Sequence, residues 1–75
     1  PALFELATLN YVRQEFLSAR NYIEQFFTVN FETAASVLLA YKIENQLGRL
    51  TAAEHYRQIL KKNFPASKEA QSLVK

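Results

Sequence analysis

Apolar residues recur at intervals of three and four along almost the whole chain, the spacing of helices rather than the alternation of strands. In residues 2–13, ALFELATLNYVR, Leu3, Leu6 and Ala7 share one stripe, with Phe4 and Tyr11 one turn round and Val12 near them. Pro1 suits a first helical position, where its missing N–H is not needed. The pattern breaks near Gln14 and Glu15. It resumes in a second helix over about Leu17 to Val29, where Phe16, Ala19, Tyr22, Ile23 and Phe26 point one way. Phe27 is surplus to that stripe and is expected to meet a neighbouring repeat or solvent. Asn30, Glu32 and Thr33 are alternative caps for a third helix over about Ala34 to Leu47. There Val37, Ala40, Tyr41, Glu44 and Leu47 follow one stripe, and Leu38, Leu39 and Ile43 widen it, as suits a helix packed on two sides. Gly48 ends that helix by supplying a left-handed turn. Thr51 and Glu54 have the spacing of a capping box, followed by a fourth stripe of Leu50, Ala53, Tyr56, Ile59 and Leu60. Phe64-Pro65 stops the helix near Asn63, because a residue before proline avoids the helical region. Ser67 is placed to cap a last short helix, Lys68 to Val74, whose Ala70, Leu73 and Val74 would cover the edge of the preceding hairpin.

The two halves share one skeleton. Ala19 and Ala53 stand 34 residues apart, and so do Tyr22 and Tyr56, Phe16 and Leu50, and Phe26 and Leu60. That period, with a small residue followed by an aromatic one, marks a tetratricopeptide-type repeat. The expected fold is therefore all-α: two helix–turn–helix repeats plus a C-terminal capping helix, a fragment of an α-solenoid. It would form a single domain over residues 1–75, with repeats at about 1–31 and 34–65 and the cap at about 67–75. The alanines are small where two helix backbones approach. Gln14 holds the place of Gly48, so a left-handed conformation there would cost about 1 kcal/mol that glycine avoids. Two repeats fall short of the usual minimum of about three. The open side of the first helix, with Phe4 and Tyr11, is thus expected to expose apolar surface and to favour self-association or helix exchange. The chain opens inside a helical pattern, which suggests a piece of a longer protein.

Composition excludes more chemistry than it supports. Among 75 residues there is no cysteine and no aspartate, with one glycine and one histidine. A disulfide framework, a thiolate metal site, a Ser–His–Asp or Cys–His arrangement and a glycine-rich phosphate loop all lack their parts. The expectation is no enzyme, no cofactor and no metal. His55, beside Glu54 and Gln58, reads as an exposed histidine without a task. Glu44 is the one charge on an apolar stripe and is expected at its rim or paired with Arg13 or Lys42. At 49% hydrophobic residues the chain can fold, but its longest apolar run falls well short of the roughly 20 residues that cross a bilayer. Net charge is +2. Residues 1–37 are acidic on balance and the remainder basic. The basic residues are spread, and adjacent Lys61 and Lys62 diverge, so no nucleic-acid partner is expected.

What remains is a surface for a protein partner. In helical solenoids the first helix of each repeat lines the concave face. That face would present Glu5, Thr8, Tyr11 and Val12 from one repeat and Leu38, Lys42, Asn45 and Gln46 from the next. The alternative for Tyr11 and Leu38 is packing between repeats.

The stretch SVLLAYKIENQLGRLTAAEHYRQILKKNFPASKEAQSLV resembles the C-terminal part of the pilotins, the type IV pilus biogenesis/stability lipoprotein family. Ser36 through Leu39, Leu47-Gly48, Ala52-Ala53, Tyr56, Phe64-Pro65, Ser67 and Glu69-Ala70 carry the likeness. Leu6-Ala7, Ala19 and Tyr22 extend it more loosely into the first repeat. The resemblance implies a periplasmic protein tethered to the outer membrane by a lipidated N-terminal cysteine, helping the pilus secretin localise and multimerise. It implies that these residues are the last repeats of a longer solenoid, with no catalytic residue. The rival expectation is a generic tetratricopeptide module gripping a peptide of another assembly.

Overall fold

A computed structural model describes residues 2–73. The proposed N-terminal role of Pro1 and the proposed packing of Val74 lie outside them. The described chain forms α1 (Ala2–Val12), α2 (Phe16–Val29), α3 (Ala34–Gln46), α4 (Leu50–Asn63) and α5 (Lys68–Ser72), with no strand among the described residues. Helices α1 and α2 form one hairpin, α3 and α4 a second; α2 packs on α3, and α5 lies against both α3 and α4. The all-α reading with two stacked hairpins and a terminal helix therefore holds.

The repeat extends to the turns. Gln14 and Gly48 both adopt left-handed backbone, with φ of 65° and 75°. Gln14 N–H donates to Tyr11 O at 2.9 Å and Glu15 N–H to Asn10 O at 2.8 Å; 34 residues on, Gly48 N–H donates to Asn45 O at 3.1 Å and Arg49 N–H to Glu44 O at 2.9 Å. Paired bonds of this kind close a helix C-terminus on a left-handed residue. Gln14 carries the predicted strain while keeping the hydrogen bonds of the glycine turn.

The core also repeats. Ala19 is fully buried and Ala53 nearly so, while Tyr22 and Tyr56 are half-buried. One cluster joins Ala7, Ala19, Ile23 and Phe26 to Leu39, Ala40 and Ile43, across the first hairpin and onto α3. A second joins Val37 and Leu60 to Ala70 of α5. Phe27 meets the neighbouring hairpin: its ring stacks on Tyr56 with centroids 5.9 Å apart.

Several expectations are corrected. Leu50 does not join the buried stripe and is 68% exposed. Its counterpart Phe16 lies edge-on against Tyr11 at 5.6 Å, but the residue at Tyr11's place in the second hairpin is Asn45, so Leu50 has no ring to lie on. Leu6 likewise leaves the core face, on which Ala7, Leu3, Phe4 and Tyr11 turn inward instead. Phe4 and Tyr11 are therefore half-buried rather than an open apolar edge. Thr51 caps nothing. The tight turn re-enters the helix at Leu50 with Arg49 as N-cap and no side-chain cap bond, which leaves Thr51 inside the first turn. The capping box forms instead at α3, where Ser36 N–H donates to Thr33 Oγ1 at 3.1 Å and Thr33 N–H to Ser36 Oγ at 2.9 Å. Ser67 caps α5, accepting from Ala70 N–H at 3.0 Å.

Candidate protein-binding groove

The first helices of the two hairpins, α1 and α3, run side by side. Helical spacing brings Phe4, Thr8 and Tyr11 to one flank of α1 and Ala35, Leu38, Leu39 and Lys42 to the facing flank of α3. Between them lies a groove of about 350 Å³, closed at one side by Glu69 of α5. A second depression of about 320 Å³ is lined by Tyr11, Val12, Gln14, Phe16 and Gln46. Tyr11 borders both.

The candidate residues thus divide. Thr8, Tyr11, Leu38 and Lys42 share the groove. Val12 and Gln46 gather in the adjoining depression. Glu5 and Asn45 are exposed and line neither. Thr8 turns its hydroxyl back along its own helix, donating to Phe4 O at 2.9 Å, so it offers a partner its methyl and a lone pair. Tyr11 packs on the first core cluster and Leu38 on the second. Both are half-buried, serving as packing while leaving part of the side chain open. Phe4, Ala35 and Leu39 were not among the candidates, and neither was Glu69. Its place is set by how α5 folds back onto α3, which no local spacing announces. The groove is an apolar floor with one cation and one anion at its rim. Lys42 and Glu69 form no ion pair with each other among the described residues.

Glu44 overturns its expectation. It is buried, not at the rim, and its partners are Arg20 of α2, with Nε 3.2 Å from Oε2, and Arg49 of the turn, with Nε 3.0 Å from Oε1. Arg13 and Lys42 are not involved. The Arg49 contact is an ion pair without hydrogen-bond alignment, so Oε1 has no hydrogen-bond partner. Two cations from separate elements make burial of the carboxylate tolerable. Burial, with the Glu44 carboxylate adding to it, holds the Tyr56 phenol above its usual value of 10.0. These groups lie between the hairpins, where they pack the molecule together.

His55 is exposed and lies edge-on to Tyr56 at 5.7 Å. Among the described residues no three metal-ligating side chains gather, and no helix is long and apolar enough to cross a membrane. Comparison with protein-family models, with curated proteins and with solved structures brought no match.

Proposed function

We propose that this chain is a non-enzymatic protein-interaction scaffold of tetratricopeptide type, holding a segment of a partner protein in the groove between α1 and α3. The observation that supports this reading is the gathering of Thr8, Tyr11, Leu38 and Lys42 around one apolar-floored depression. A partner segment would seat an apolar side chain between Tyr11 and Leu38 and set polar or charged groups against Lys42 and Glu69. Such groove contacts put binding energy into one or two anchors, while the rim sets orientation. The likeness to the pilotins makes the pilus secretin the first partner to test, with the parent protein periplasmic and tethered to the outer membrane. A peptide segment of another assembly is the second reading, favoured by the same groove.

The test is a titration of the chain with purified secretin periplasmic and C-terminal segments. Saturable binding that weakens on Lys42→Glu supports the groove. Lys42 is exposed, so that change leaves the core intact. Secretin binding that ignores Lys42→Glu sinks the groove as the site. An absence of secretin binding, with capture of other peptides that Lys42→Glu abolishes, leaves the groove and removes the pilus assignment.

A further inference from the structure

Helix α1 carries a second apolar stripe, turned away from its own hairpin. Leu6, Leu9 and Val12 are 38%, 44% and 69% exposed, whereas Ala7 on the opposite side is fully buried. The internal repeat says what such a stripe meets. The residues 34 positions after Leu6 and Leu9 are Ala40 and Ile43, both fully buried, within the cluster that α2 shares with α3. On α1 the same face awaits another helix.

The charges on this face say which helix. At about 100° per residue, Leu9 lies at the middle of the stripe, with Glu5 and Leu6 before it and Arg13 and Val12 after it at matching distances. Arg13 still follows the helical path, donating its N–H to Leu9 O at 3.0 Å. Glu5 and Arg13 are exposed, and neither forms an ion pair among the described residues. A two-fold axis passing beside Leu9 sets a second α1 antiparallel to the first. Leu9 then meets its own copy, the stem of Arg13 lies beside Leu6 of the copy, and Glu5 comes level with Arg13 of the copy from the opposite flank, within reach of two long side chains. Residue positions and charge signs are both self-complementary, as an isologous contact requires.

We propose that this stripe is a homodimer interface, in which a second copy of the chain docks its α1 antiparallel across Leu9. The contact would cover Glu5, which lines neither depression, and part of Val12, which lines the adjoining one. It leaves Thr8, Tyr11, Leu38 and Lys42 open on a different flank. Failure of the dimer therefore does not touch the groove reading.

Sedimentation velocity of the whole chain, from low micromolar to near-millimolar concentration, tests it. The expected result is a reversible monomer–dimer equilibrium. Leu9→Lys sets two like charges across the axis and is expected to leave monomer only, with helix content retained by circular dichroism. Glu5→Lys turns both cross-pairs repulsive and is expected to weaken the dimer about tenfold at low salt. Adding Arg13→Glu restores opposite charges and should recover the parental constant. These two positions are exposed, so the charge exchange decides the matter even if Leu9→Lys loses helix. A parent chain that stays monomeric, a dimer indifferent to Leu9→Lys in a folded chain, or a Glu5→Lys defect that Arg13→Glu does not reverse would each overturn the proposal.

Discussion

At the scale of single residues, the two turns are a matched experiment. Gln14 and Gly48 adopt the same left-handed conformation, and only glycine does so without a Cβ penalty. Gln14→Gly should therefore stabilise the chain by about 1 kcal/mol. In a domain of this size that raises Tm by about 4–8 °C, readable by thermal circular dichroism. Gly48→Ala should cost a similar amount; no atom crowds the added Cβ, so the loss would be backbone strain alone. This strain was legible in the sequence because it is a local demand exposed by the repeat offset. Glu44 was not legible, since its partners Arg20 and Arg49 come from different elements. Its neighbour Tyr56 gives a pH signature. Burial raises the folded-state pKa above the usual 10.0. The folded state then holds its phenol proton where the unfolded chain has released it, so stability is full below about pH 10 and falls as pH rises through the raised value. Tyr56→Phe should remove that share of the alkaline loss, measured as a smaller drop in urea midpoint between about pH 9 and pH 11.

At the scale of elements, spacing located all the helices, because three- and four-residue periodicity is written into each segment alone. Their starts were less legible. Thr51 with Glu54 has the cap spacing, yet a start is fixed by where the preceding turn releases the chain, and the Gly48–Arg49 turn releases it at Leu50. Thr33 competed with Asn30 and Glu32 until Ser36 supplied the reciprocal bond. The contrast is testable. Thr33→Ala should cost about 1 kcal/mol, the usual worth of an N-cap. Thr51→Ala, which removes no cap bond, should stay within about 0.5 kcal/mol of the parent. Equilibrium urea unfolding of the two variants reads the difference. If Thr51→Ala were the more damaging change, the cap assignment would be reversed.

At the scale of the molecule, the groove was half legible. Thr8, Tyr11, Leu38 and Lys42 follow from helical spacing, but Phe4, Ala35 and Leu39 were read as packing or not singled out, and Glu69 required knowing how α5 folds back. What makes one body of two hairpins is the seam between α2 and the second hairpin: the buried cluster of Ala19, Ile23 and Phe26 with Leu39, Ala40 and Ile43, flanked by the Phe27–Tyr56 stack and the Arg20–Glu44 pair. Tyr56 packs against both core clusters, so the seam also joins the two cores. Stacked hairpins derive stability from each hairpin plus the interface between neighbours, and neither hairpin is large enough to be stable alone. The parent chain should thus unfold in one step, with far-ultraviolet circular dichroism and tyrosine fluorescence coincident; there is no tryptophan to complicate the second probe. Phe27→Ala removes the stacked ring while leaving the buried faces of both hairpins intact. It should cost about 2 kcal/mol and let the two probes separate, because Tyr22 and Tyr56, two of the four tyrosines, both pack on the cluster that joins α2 to α3. Transitions that stay coincident at lowered stability would mean that cooperativity runs through the Arg20–Glu44 pair and the backbone packing of α2 on α3, with the aromatic stack contributing burial alone.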